Sequence, residues 1–180
     1  MRDISILKYL FFLHKTFQCS YHVLGDLMKI NYKKLIISIV IPLLVGFISN
    51  LFVKDYYGLY ETIEKPLFSP PNVLFPIVWT ILFILMGVAF YLIWDTKASK
   101  TDAYISYYLQ LFFNFVWPIL FFRLELYLVA LVWITMLWLL ILDTILSFYK
   151  INKKASYLML PYLVWTSFAT YLNFMVYVLN

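Results

Sequence analysis

The chain has 180 residues, of which 64% are hydrophobic, 22% aromatic and 13% charged. An ordinary soluble domain is excluded, since its charged share is about 25%. The net charge of +5 comes without a basic, aromatic-interleaved patch outside the apolar runs, so nucleic acid is excluded as a partner. One cysteine, Cys19, leaves no intrachain disulfide or thiolate cluster. Both histidines, His14 and His22, precede the apolar runs, which removes the usual haem ligand, the usual general base and most zinc sites from those runs.

Residues 1–27 mix charges with a short apolar stretch at 4–13 and lack the small-residue cleavage site of a signal peptide. Met28-Lys-Ile-Asn-Tyr-Lys-Lys reads as a natural start, a basic flank before an apolar span. Residues 1–27 are therefore expected to be an extension, either a disordered arm or a misplaced start, with a surface helix as the alternative. Residues 28–180 form one domain.

From residue 35 onward, five apolar runs follow at 35–53, 73–94, 103–122, 126–149 and 155–179. Each is close to the ~20 residues that a helix needs to cross hydrocarbon. A backbone in lipid must satisfy its own hydrogen bonds, and no period-two alternation points to a barrel. The fold class is thus an all-α membrane protein, a five-transmembrane-helix bundle with a structured loop between helices 1 and 2. The short links at 95–102, 123–125 and 150–154 force neighbours antiparallel. With five spans, 11 Lys and Arg fall on the N-terminal side and 3 on the other, or 8 and 3 without the extension. That imbalance puts the N-terminus in the cytoplasm and the C-terminus outside.

The link at 54–72 differs from the others. Asp55 can cap a short amphipathic turn carrying Tyr56, Tyr57, Leu59, Tyr60 and Ile63. Pro66, Pro70 and Pro71 then stiffen the return. Asn72 is placed as N-cap of the second span, with Pro76 in its first turn. So structured a link reads as a lid over the outer end of the bundle.

Polar and aromatic residues at lipid depth carry the functional reading. Gln110, Asn114 and Trp117 fall at i, i+4 and i+7, on one helical face. An unpaired amide in hydrocarbon costs roughly 2–7 kcal/mol, so this face points inward, to partner helices, water or a ligand. Pro161, Trp165, Ala169 and Asn173 form a second expected face, each four residues apart. Trp165 lies too deep for the interfacial aromatic belt, and its N–H needs an acceptor there. Pro76, Trp79 or Thr80, Phe83 and Gly87 form a third stripe, for which plain packing is the alternative. If the stripes converge, Trp79, Trp117, Trp165 and Asn114 line one aromatic cavity suited to a planar apolar ligand: a tetrapyrrole, a sterol or a polycyclic drug. Asp143 is the acid well inside a span; the cost of its charge falls near the interface, where Lys150 or Lys153 could reach it. No GxxxG motif specifies a dimer.

Four segments together resemble the translocator protein / tryptophan-rich sensory protein family, also called peripheral-type benzodiazepine receptors. They are Tyr60 with Lys65-Pro66 and Pro70-Pro71; Val78-Trp79-Thr80 with Phe83, Met86 and Gly87; Gln110, Asn114, Trp117-Pro118 and Phe121-Phe122; and Pro161-Tyr162, Trp165, Phe168-Ala169-Thr170 and Leu172-Asn173. The resemblance implies a bacterial plasma-membrane protein, often a homodimer, that binds porphyrin or haem as ligand with no obligatory cofactor and no resident metal. Its expected ligand-binding residues are Tyr60, Pro71, Trp79, Phe83, Gln110, Asn114, Trp117, Trp165 and Ala169. Two further activities are implied as alternatives: light- and oxygen-dependent protoporphyrin degradation through Trp79 and Trp165, and porphyrin transport. The chain departs from the family pattern with Leu59 at the lid tryptophan and Phe68 before Pro70. It also has Phe174 and Val178 in the sterol motif, which weakens the expectation of sterol recognition.

Overall fold

A computed structural model describes residues 30–58, 63, 64, 66 and 69–180. The expectation for residues 1–27 lies outside the described residues, as does Tyr60. Five long helices form: α1 (Tyr32–Val53), α2 (Leu74–Trp94), α3 (Thr101–Pro118), α4 (Tyr127–Ile151) and α5 (Lys153–Leu179). No strand occurs among the described residues. All five are long and apolar enough to cross a membrane, as the run lengths predict. At 1.5 Å per residue, the 22 residues of α1 reach about 33 Å, enough for a hydrocarbon core of about 30 Å.

The helix ends follow local chemistry. Pro118 closes α3, and the chain continues as one π-helical turn at Ile119–Arg123, in which Leu124 N–H reaches Ile119 O at 3.0 Å. The α3–α4 turn then passes through Glu125 at φ 54°, a left-handed conformation that costs a non-glycine residue roughly 1–2 kcal/mol. Between α4 and α5 the link shrinks to Asn152, whose side-chain oxygen accepts from Lys154 N (3.0 Å) and Ala155 N (3.3 Å). It is a side-chain N-cap in a stretch where only a link is expected. Two expected caps shift. Helix α2 starts at Leu74 with Val73 at its N-cap, which leaves Asn72 one residue outside. Asp55 lies within a 3₁₀ turn at Lys54–Tyr56 rather than capping one.

Around the bundle the helices run in the order α1, α2, α5, α4, α3. The α2–α5, α5–α4 and α4–α3 pairs pack along their lengths. Helix α1 closes the ring at a few points. Ser49 Oγ donates to Phe115 O at 2.8 Å, and the Phe52 and Phe115 rings meet edge to face at 6.0 Å. A Cβ at Gly87 would strike the α1 backbone at Ile39 and sit 2.7 Å from Ser38 O, so α1 and α2 touch backbone to backbone. Only 22% of the apolar window of α1 is buried, against 44% for α2, so α1 is the most peripheral helix.

Part of the core lies toward the end that carries Lys34, Lys97, Lys100, Lys150, Lys153 and Lys154, here termed the basic end. Phe90 stacks on Tyr107 at 4.4 Å, and Tyr107 on Phe148 at 5.9 Å. Met86, Ile93, Ile141 and Met159 are fully buried nearby. The opposite end carries the 54–73 link and is termed the link end.

The glycine contacts generate a prediction. Gly87→Ala meets immovable backbone and should cost about 1–3 kcal/mol as overpacking, outweighing the roughly 1 kcal/mol that alanine gains in a helix. Gly46→Ala meets only the Phe83 ring, which can swing. Thermal unfolding in detergent should therefore show a lower Tm for Gly87→Ala than for Gly46→Ala.

Candidate functional site

The face expected from the i, i+4, i+7 spacing on α3 points inward. Gln110 is fully buried, and Asn114 and Trp117 nearly so. Asn114 Nδ2 donates to Tyr162 Oη on α5 at 2.7 Å. Trp117 Nε1 donates to Asn173 Oδ1 on α5 at 3.0 Å, and Asn173 Nδ2 donates in turn to Tyr127 O on α4 at 2.9 Å. Asn114 thus ties two helices together and Asn173 three. The Trp117 ring stacks on Phe121 of the π turn at 5.4 Å.

Gln110 is different. Its Nε2 finds only the sulfur of Met86, at 3.8 Å, and its Oε1 is buried with no partner. A second unpaired buried polar atom is the indole N–H of Trp165. The Trp165 ring is half-buried between Phe75, at 6.0 Å, and Phe168, at 5.6 Å, and Ala169 one turn on is small and buried. Across from it on α2, Trp79 lies 5.7 Å from Phe83 and 6.0 Å from the fully buried Tyr162. The structure thus brings Trp79, Phe83 and Asn114 together around Tyr162. Trp165 sits with Phe75 and Phe168. Trp117 sits with Asn173 and Phe121, its N–H already used. Pro71 is exposed, and its carbonyl accepts Leu74 N–H at 2.9 Å.

Two expected stripes are rotated. Pro161 is exposed, while the buried face of α5 runs through Ala155, Met159, Tyr162, Thr166, Ala169, Asn173 and Val176. Steps of four residues advance about 40° per step on a 3.6-residue helix, so Pro161 stands about 120° round from Asn173. On α2, Trp79 faces inward, while Pro76 and Thr80 are exposed and bond to each other, Thr80 Oγ1 to Pro76 O at 2.7 Å. Tyr162 and Phe75 escaped the sequence reading. The alternating three- and four-residue spacing through Tyr162 is the pattern that marks the true face.

Asp143 is exposed on α4, eight residues or about 12 Å from its end. The expected reach of Lys150 or Lys153 is not made. Lys153 Nζ instead lies over the Tyr149 ring at 5.3 Å, and the ion pair among the described residues is Lys34–Asp95 at the basic end, 3.0 Å. A shallow surface groove of about 520 Å³, lined by Glu125, Tyr127, Tyr177 and Asn180 among others, lies at the link end.

Five apolar helices joined by interhelical amides around an aromatic interior define a multi-pass α-helical membrane protein. The pattern of the TspO/MBR family matches residues 38–179, and the chain belongs to that family. It is 42% identical over 142 residues to the tryptophan-rich protein TspO of Chlorobaculum tepidum, covering 77% of this chain and 90% of the relative. It is 41% identical over 154 residues to the protein of the same name from Archaeoglobus fulgidus, covering 83% and 99%. Similarity extends to the human translocator protein, 32% identical over 142 residues, covering 76% and 83%.

Two measurements probe these contacts. A double-mutant cycle of Asn114→Ala and Tyr162→Phe should give a coupling of about 0.6 kcal/mol and no more than about 1.7 kcal/mol, the range for interhelical hydrogen bonds in membranes. Asp143→Leu removes an unpaired charge from the lipid face. It should raise unfolding stability in lipid, by less than the about 2.5–3.5 kcal/mol that such a charge costs at a span centre.

Proposed function

We propose that the protein binds porphyrins and similar planar apolar ligands within the bundle, against Trp79, Phe83, Tyr162 and Trp165. Gln110, Asn114, Trp117 and Ala169 complete the wall, and Pro71 of the link stands toward the link end, while Tyr60 lies outside the described residues. The observation that carries this reading is the Trp165 N–H, buried among aromatic rings with no acceptor. A buried polar group without a partner is costly, and a ligand carrying an acceptor relieves that cost. The flat apolar rings beside it supply stacking area. Gln110 Oε1 offers an acceptor for a donor such as a pyrrole N–H.

Residues 28–180 hold no histidine, so the bundle itself offers no imidazole for an axial bond to iron. Ring contact then dominates, and metal-free protoporphyrin IX binds at least as well as haem. On the charge imbalance already described, the basic end faces the cytoplasm.

Quenching of tryptophan fluorescence by protoporphyrin IX tests the proposal. Trp165→Phe keeps an aromatic side chain but deletes the N–H and part of the stacking area, so affinity should fall by at least the about two- to twelvefold that one hydrogen bond is worth. Trp79→Ala should weaken binding further by removing stacking area. Wild-type affinity in both variants, or haem binding far tighter with a low-spin histidine spectrum, would overturn it.

A further inference from the structure

We infer that the groove between the start of α4 and the end of α5 binds a phospholipid with a primary ammonium headgroup, held by the Glu125 carboxylate and the rings of Tyr127 and Tyr177. The site is separate from the aromatic interior and does not depend on the function proposed above. The groove measures about 520 Å³ and is lined by Glu125, Leu126, Tyr127, Val129, Tyr177 and Val178 among others. It opens at the link end, where α4 begins at Tyr127 and α5 finishes at Leu179. That is the level at which bilayer hydrocarbon gives way to headgroups.

The lining suits an amphiphile with a cationic head. Glu125 is exposed and forms no ion pair among the described residues. The nearest cation in sequence, Arg123, lies over the Tyr56 ring at 5.8 Å instead. Glu125 stands on a turn fixed by three backbone bonds: Leu124 N–H to Ile119 O, Leu126 N–H to Leu120 O and Tyr127 N–H to Glu125 O, each at 3.0 Å. The turn holds Glu125 at φ 54°, which disfavours any residue with a Cβ, so a carboxylate occupies a position that glycine fits more easily. Tyr127 is fixed beside it by the Phe121 ring, 5.4 Å away, and by Asn173, which donates to Tyr127 O at 2.9 Å. Tyrosine faces attract a cation. Below these groups, Val129 and Val178 are about half exposed and offer apolar surface to the first methylenes of an acyl chain. A primary ammonium brings three N–H donors to the carboxylate and the tyrosine hydroxyls. A quaternary ammonium brings none, and an anionic headgroup meets the carboxylate as a like charge.

Native mass spectrometry of the full chain in detergent tests the assignment, by titration with phosphatidylethanolamine, phosphatidylcholine and phosphatidylglycerol of identical acyl chains. An exposed ion pair is worth at most about fivefold in affinity, so phosphatidylethanolamine should bind about two- to fivefold more tightly than either of the others. Glu125→Gln should erase that preference and leave phosphatidylcholine binding within about twofold of wild type. Glu125→Gly, which fits the turn without strain, guards against a folding defect and should erase the preference as well. Tyr177→Leu should reduce it in part. Wild-type selectivity in Glu125→Gln, or no selectivity in the wild type, overturns the site. Displacement of phosphatidylethanolamine by an equimolar amount of free ethanolamine overturns a lipid as the occupant. A dimer that Glu125→Gln dissociates overturns it in favour of a second copy of the chain.

Discussion

A polar side chain inside a bilayer has no water to turn to, and the bundle is organised around that lack. The chain Trp117 to Asn173 to Tyr127 runs through α3, α5 and α4, and Asn114 to Tyr162 forms a second α3–α5 strap beside it. Removing one member strands another in hydrocarbon, so these straps hold as units rather than as separate contacts. They also fix the aromatic rings, since Tyr162 is at once the partner of Asn114 and a wall for Trp79.

Lipid gives helices little hydrophobic reason to associate, so close backbone approach and ring packing must supply the rest. Gly87 provides that approach between α1 and α2, and the Phe90–Tyr107–Phe148 stack fills the basic end. The two ends differ as a result. One is filled by stacked rings and pinned by the Lys34–Asp95 pair with Lys100 on Trp94 O. The other carries the 54–73 link and lies closer to Trp79 of the proposed site.

Much of this was legible from residues alone, because the bilayer converts length and polarity into position. The five spans followed from run length, and the inward face of α3 followed from Gln110, Asn114 and Trp117. The faces of α2 and α5 were harder. Four-residue steps pointed to Pro161 and left Trp79 and Thr80 undecided, while slow rotation of such a stripe carries Pro161 out of the interior. Asn152 was hidden because a link of one residue looks, in sequence, like the end of either helix. The hydrogen bonds from the Asn180 side chain to the Glu64 backbone join residues 116 apart and leave no local trace.

The spans that carry the amides are also the least apolar, with mean hydropathy 1.4 for α3 with its π turn and 1.3 for α5, against 2.3 for α4. Each is joined to α4 by a very short connection, three residues on one side and Asn152 on the other. Helix α4 is thus the apolar arm that each amide-bearing helix meets through a tight antiparallel connection. The polar contacts of the interior are held in register by a helix that itself contributes mostly wall.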